Sequence, residues 1–221
     1  MAARFRHLAI LLFVLWTSVA TIGVPEAVPA RIVSTSPSIT ETLFALGLGD
    51  RVVGVSTYCR FPPEVLKLPK IGTFLQPDAE LIAGLSPDLV IVHEVSNGID
   101  RRLNALGIRF VVVERGTLAS VFSSIRQIAA AAGVAGRGET LVAEIQRGLG
   151  AVRRDGSRGP RRRVLFIIGR RPGVLADLVA VGPGSYLNDV IDIAGGTNVL
   201  SIAGQPEYPR ISLETVLRLD P

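Results

Sequence analysis

Seven side chains have the types and positions to hold a small molecule. Tyr58, Arg60, Phe74, His93, Arg170 and Arg171 each follow a predicted strand or sit in the loop beyond one, and Tyr208 precedes a predicted helix. In parallel α/β units ligands meet the loops that leave the carboxyl ends of strands. The aromatic rings of Tyr58, Phe74 and Tyr208, with the His93 imidazole, offer flat faces with few rotatable bonds. The guanidinium groups of Arg60, Arg170 and Arg171 match carboxylates or phosphates in bidentate geometry. His93 is the only histidine outside the first thirty residues, so a zinc- or manganese-type site made of several imidazoles is not expected. Nor is catalysis. No G-x-G-x-x-G opens a helix after a strand, no phosphate-loop lysine motif or G-x-S-x-G elbow occurs, and no histidine stands beside a nucleophile. Gly182-Pro183-Gly184-Ser185 matches these patterns only weakly.

These residues need a scaffold, and the chain has material for one. It has 221 residues, 48% of them hydrophobic and 5% aromatic, enough to bury a core in one large or two small domains. The formal charge of +5 is concentrated in Arg153, Arg154, Arg158, Arg161, Arg162 and Arg163. That run includes Gly156, Gly159 and Pro160 and has no interleaved aromatic, so it reads as a solvated connection and not a nucleic-acid surface. Cys59 is the single cysteine, which excludes an intrachain disulfide.

The start of the chain has the layout of a secretory signal peptide: Arg4 and Arg6, an apolar run over Leu8–Val19, then small residues. The run is short for a membrane span. Val28 and Ala30 suit a cut after Ala30, with Ala20 as the alternative. With no cysteine near the cut, the expectation is a soluble periplasmic protein, not lipid-anchored.

Beyond residue 30, strands and helices alternate. Strands are predicted at Arg31–Ser34, Val52–Val55, Leu89–Val92, Arg109–Val113 and Val164–Ile168. Helices are predicted at Thr40–Leu46, Asp78–Ala83, Asn97–Leu106, Leu118–Ala132, Ser185–Ala194 and Ser212–Leu219, with a helical turn near Glu64–Lys67. The alternation predicts mostly parallel sheets with helices on both faces. Between the two α/β runs lies Arg137–Arg154, where Leu141, Val142, Ile145, Leu149 and Val152 recur at helical spacing against polar faces. One long helix is predicted there despite Gly148 and Gly150, each of which costs about 1 kcal/mol relative to alanine. The expected layout is a signal peptide to residue 30, a first lobe at 31–136, a linking helix and basic turn at 137–160, and a second lobe at 161–221. Glu80 is followed at the same offsets by Leu85 and Pro87 as Glu214 is by Leu219 and Pro221. The first copy runs on into a buried strand and the second does not, so the second lobe is expected to be incomplete and the chain truncated.

Local motifs over nearly all of residues 31–221 resemble the helical-backbone substrate-binding proteins of bacterial ABC importers for vitamin B12, haem and ferric siderophores. They are Arg31-Ile32-Val33-Ser34 with Ser36-Pro37, Thr40-Glu41, Tyr58 with Pro62-Pro63-Glu64, Gly72, and Glu80 ahead of Leu85-Ser86-Pro87-Asp88-Leu89-Val90. Gly195-Gly196-Thr197-Asn198-Val199 and Tyr208-Pro209 ahead of Ser212-Leu213-Glu214 complete the set. The vitamin B12-binding branch is the nearest in pattern. The resemblance implies two α/β lobes joined by one long helix and a monomer without a resident cofactor. It also implies a metal chelate as ligand, cobalamin ahead of haem or a ferric siderophore. Tyr58, Phe74, His93 and Tyr208 then fall at aromatic ligand contacts, and Tyr58 or His93 is a candidate axial ligand if the chelate is haem. By the same resemblance Glu80 and Glu214 pair with arginines of an ABC permease served by its ATPase, and a stiff linking helix implies modest lobe movement. The competing reading is a secreted sensory or scaffolding module of the same fold without transport.

Overall fold

The computed structural model describes residues 28–94, 98–201 and 204–221. The expected signal peptide therefore lies outside the described residues apart from its last three positions. So does Asn97, the first residue of one predicted helix.

The first lobe is a four-stranded parallel sheet in the order β2-β1-β3-β4, with β1 at Ile32–Ser34, β2 at Val52–Val55, β3 at Leu89–His93 and β4 at Phe110–Val113. Alternation along each strand sends successive side chains to opposite faces. Ile32, Leu89 and Ile91 pack with Ile39, Leu43 and Leu46 of α1 (Pro37–Ala45) and the segment after it, and with Ile128 and Ala129 of α4 (Leu118–Ala131). Val33, Val90 and Val92 face the other way, onto Ile82 of α2 (Ala79–Gly84) and Ile99 and Leu103 of α3 (Ile99–Ala105). Strands covered on both faces read as continuous apolar runs, which is why they were visible in the sequence. Three of the first-lobe helices, α1, α2 and α4, start where side chains replace missing backbone partners: Ser36 accepts from Ile39 N–H, Asp78 from Glu80 and Leu81 N–H, and Thr117 from Ser120 N–H.

α5 is one unbroken helix over Ala135–Gly156, about two residues longer at each end than the apolar periodicity marks out. Its 22 residues span roughly 33 Å. It lies along α4, with Gly138 buried where the two helices cross; a Cβ there would sit 2.5 Å from the Ala129 methyl carbon. Gly148 faces open space, so its cost is conformational only and the packed stripe around Val142 outweighs it. The Arg137 guanidinium donates to the Leu46 carbonyl at 3.0 Å, at the carboxyl end of α1.

The second lobe departs from the expected strand at Val164–Ile168. Two strands occupy that stretch, β5 (Arg162–Val164) and β6 (Ile167–Gly169), and they belong to different sheets. β5 pairs in parallel with β8 (Gly196–Asn198), whereas β6 pairs antiparallel with β7 (Leu178–Ala180), which pairs antiparallel with β9 (Arg210–Ile211). Helices α6 (Tyr186–Ile193) and α7 (Leu213–Leu219) complete the described elements. The parallel pattern thus holds throughout the first lobe and for β5 and β8, while three very short strands pair the other way.

The basic run is solvent-exposed, and four of its six arginines make local ion pairs or hydrogen bonds. Arg153 and Arg161 share Asp192, at 3.7 and 2.6 Å, Arg158 meets Asp155 at 3.2 Å, and Arg163 donates to the carbonyls of Leu219 and Asp220 at the end of α7. Of these, the Arg153–Asp192 pair joins the end of the long helix to α6 of the second lobe. Among the described residues no helix is long and apolar enough to cross a membrane.

Candidate functional site

A cavity of about 200 Å³ opens between the lobes. Its floor is apolar, from Ile39 of α1 and Val121, Ile125 and Ile128 of α4, and its walls are polar. Ser38, His93, Glu114 and Arg115 come from the first lobe; Tyr186, Glu207 and Tyr208 come from the second. The parallel sheet explains the first set, because the carboxyl ends of β1, β3 and β4 lie on one edge and the chain leaves each strand there.

His93 is the last residue of β3. Its Nδ1–H points at the Val113 carbonyl at 3.4 Å, which leaves Nε2 to accept from the Ser38 hydroxyl at 3.0 Å, with Ser36 Oγ a further 3.2 Å along. Ser36 also caps α1, so the imidazole is aligned by the same residues that start the helix. Phe74 meets the His93 ring edge-on, centroids 5.7 Å apart and planes at 74°. Burial pushes the imidazole pKa below 6.5, and the Arg115 charge pushes in the same direction. A neutral imidazole is therefore the folded form. Because the unfolded chain binds this proton more readily, the resulting stability is complete above pH 6.5 and is lost as pH falls through the lowered value. The urea midpoint should drop as the medium is acidified below 6.5, and His93→Gln should flatten that slope; an unchanged slope would rule the assignment out.

Tyr208 reaches the cavity from the second lobe and accepts a hydrogen bond from Ser185 Oγ at 3.0 Å. Burial raises the phenol pKa above 10.0, and the neighbouring Glu207 carboxylate adds to the rise, so the ring carries a neutral hydroxyl. Ser185 also caps α6 by accepting from Leu187 N–H.

The two walls are joined by main-chain and capping bonds. Tyr186 N–H donates to the Gly116 carbonyl at 2.6 Å, and Asp189 of α6 accepts from Leu118 N–H, at the first turn of α4, at 2.7 Å. Gly116 has φ of +116°, and a Cβ there would approach the Gly184 carbonyl oxygen to 3.1 Å, so the crossing requires glycine. The cavity is therefore built with its walls already in register.

The structure brings His93 and Tyr208 to this cavity, with Phe74 behind His93. It places Tyr58 and Arg60 elsewhere on the same rim. Cys59 is buried between them, its sulfur 3.1 Å from Thr40 Oγ1 and 3.2 Å from Ser56 Oγ, and the flanking side chains are turned outward. Tyr58 is 60% exposed. Its strand β2 lies two positions from β3 in the sheet, roughly 10 Å at normal strand spacing. Thr57 N–H bonds the Gly72 carbonyl at 2.8 Å, tying the loop of Tyr58 to that of Phe74.

Arg170 and Arg171 lie away from the interlobe cavity. Both are in the turn between β6 and β7, where Arg171 Nε and Nη2 hold Asp177 Oδ2 at 2.9 and 2.6 Å and Arg170 bonds the Val174 carbonyl at 3.4 Å. A local carboxylate already satisfies the Arg171 fork, and neither residue lines the interlobe cavity. Arg115, Tyr186 and Glu207 do line it and were not among the sequence candidates. The rule that found His93 applies equally to Arg115, two residues beyond β4. Among the described residues no three His, Cys, Asp or Glu side chains converge as a group able to hold a bare metal ion.

Comparison with known proteins agrees with this geometry. The chain is 29% identical over 201 residues to the ABC transporter substrate-binding lipoprotein YvrC of Bacillus subtilis, covering 87% of this chain and 62% of the relative. It is 30% identical over 194 residues to the vitamin B12-binding protein of Salmonella typhimurium, covering 86% of this chain and 70% of that one. Among solved structures it superimposes on the apo form of the periplasmic heme-binding protein RhuT from Roseiflexus sp. RS-1 with a TM-score of 0.77 and 34% identity, over 86% of this chain and 73% of that chain. That YvrC is a lipoprotein overturns the expectation that the present chain is not lipid-anchored. Lack of a cysteine near residue 30 bears on attachment at that point alone, and the inference drawn from it does not stand. A family described as periplasmic binding protein matches residues 32–221, and the chain belongs to that family.

Proposed function

We propose that the protein is the solute-binding component of an ABC importer and captures a preformed metal chelate between its two lobes. The supporting observation is the interlobe cavity, where His93 of one lobe, backed by the Phe74 ring, is set across from Tyr208 and Tyr186 of the other. Sites that enclose a drug-sized ligand have volumes of about 300–1,000 Å³. A cavity of about 200 Å³ accepts one edge of a bulky ring system, leaving the rest to lie along the rim that carries Phe74, Tyr58 and Arg60. A flat tetrapyrrole suits that shape. Cobalamin, the first expectation from the sequence, and haem both belong to this class, and the names of the B12-binding and heme-binding relatives point the same way. The protein's part is to bind and orient, with no bond made or broken. Calorimetric titration of the chain with cyanocobalamin, haemin and ferric siderophores tests the reading. Sub-micromolar binding of one is expected, and no binding of any would reject it.

Glu80 and Glu214 are proposed to meet the permease. Each is the second residue of a capped helix, Glu80 after Asp78 on α2 and Glu214 after Ser212 on α7, and both are exposed. Charges at such rims set docking orientation and capture rate more than affinity. Glu80→Gln with Glu214→Gln should leave ligand titrations unchanged and lower transport at least tenfold in reconstituted vesicles containing the permease and its ATPase, an effect that added salt should mimic. Normal transport by the double variant would remove both residues from the docking surface.

A further inference from the structure

Arg115 is a cation in the cavity wall with no acid assigned to it. Among the described residues no carboxylate lies within ion-pair distance of Arg115, whereas Arg126, Arg153, Arg158, Arg161 and Arg171 all have acidic partners. Its guanidinium is placed 5.9 Å from the centroid of the Phe74 ring, the ring that also meets His93. A cation over an aromatic face is held in place without being neutralised, because the ring supplies attraction but no charge. The main chain is fixed as well: the next residue, Gly116, gives its carbonyl to Tyr186 N–H across the cleft. The charged groups facing the same space are Glu114, next in sequence, and Glu207, which is beside the Tyr208 hydroxyl; His93 is neutral when folded. An oriented guanidinium with unused donors in the polar wall above an apolar floor is a standard means of reading a carboxylate or phosphate group.

We propose that Arg115 binds an anionic substituent on the inserted edge of the ligand, so that the protein selects a chelate bearing peripheral carboxylates. This rests on the interlobe cavity being the chelate site. It narrows the class: a porphyrin dicarboxylate presents such groups at its edge, whereas a corrin ring is bordered mainly by uncharged amides.

The test compares haemin, haemin dimethyl ester and cyanocobalamin on the wild-type chain and on Arg115→Gln and Arg115→Lys variants. The ester keeps the metal and the ring and removes both negative charges. Wild type should bind haemin roughly ten- to a hundredfold more tightly than the ester, the range expected when a hydrogen bond to a charged group is lost. Arg115→Gln should erase that preference by bringing haemin affinity down toward that of the ester, and Arg115→Lys should restore part of it. Because Arg115 is exposed, the thermal midpoints of the variants should match wild type. Equal haemin affinity in wild type and Arg115→Gln would overturn the assignment, as would binding of cyanocobalamin in preference to haemin. Failure of wild type to bind any of the three, or a ferric siderophore titrated alongside them, overturns the chelate reading itself, which is a different result from binding that ignores residue 115.

Discussion

Alanine at Gly195 should destabilise the protein by about 3 kcal/mol or more, with the damage concentrated in the second lobe. Gly195 follows the last turn of α6 with φ of +82°, a left-handed conformation that costs a residue with a Cβ roughly 1–2 kcal/mol. A Cβ at this position also overlaps the Gly156 carbonyl at the end of α5. The contact is close from the other side too, since a Cβ on Gly156 would be 2.6 Å from the Ala194 carbonyl carbon. Two backbones meet here, so no side-chain rotation relieves the overlap, and the sum approaches the large effects reserved for named steric failures. Gly148→Ala, on the same long helix but facing open space, should instead raise stability by up to about 1 kcal/mol. Urea denaturation of the two variants decides the matter, with amide exchange to locate the loss. If Gly195→Ala unfolds at the wild-type midpoint, the end of the long helix is not seated as described.

Replacing Tyr208 by alanine should weaken chelate binding about thirtyfold or more, the effect of removing a well-packed aromatic contact worth about 2 kcal/mol. Tyr208→Phe separates the ring from its hydroxyl. It keeps the flat face and gives up the hydroxyl's bonds with Ser185 and Glu207, a change of about 1 kcal/mol for each that falls largely on local stability. Titration of both variants with the ligand identified for wild type gives the order expected: phenylalanine close to wild type, alanine far below it. Equal affinities for alanine and wild type would take Tyr208 out of the site, and equal losses for both variants would show that the hydroxyl, not the ring, does the binding.

The first lobe was legible because its signals are strong and local. Leu89–Val92 is apolar throughout, as a strand covered on both faces must be, and Ser36, Asp78 and Thr117 announce the helices they cap. The long helix could be read from Leu141, Val142, Ile145 and Leu149, since the covered face of a two-sided helix repeats at 3.6 residues. The second lobe was harder. β7, β8 and β9 are three, three and two residues long, too short for an alternation to register, and Leu165-Phe166 sits inside an apolar run that the structure divides between two sheets. Pairing direction in such short strands is decided by distant partners and leaves no mark on the segment itself.

The site was partly legible for a related reason. His93, chosen by the strand-end rule, and Tyr208, chosen by family resemblance, line the interlobe cavity, whereas Arg170 and Arg171, chosen by the same strand-end rule, lie away from it. Asp177 holds Arg171 and the Val174 carbonyl holds Arg170, both within a turn whose strands were not foreseen. Arg115 was overlooked although it follows β4 directly, because its significance depends on the Phe74 ring, forty-one positions earlier, coming beneath it.

The clasp formed by Tyr186 with Gly116 and by Asp189 with Leu118 has one more consequence. A vessel whose two sides are pinned at the base is expected to keep nearly the same outline empty or full. On the proposed transport role, the receiving machinery would then have to sense the part of the cargo left uncovered at the mouth, because the silhouette alone would not report the load.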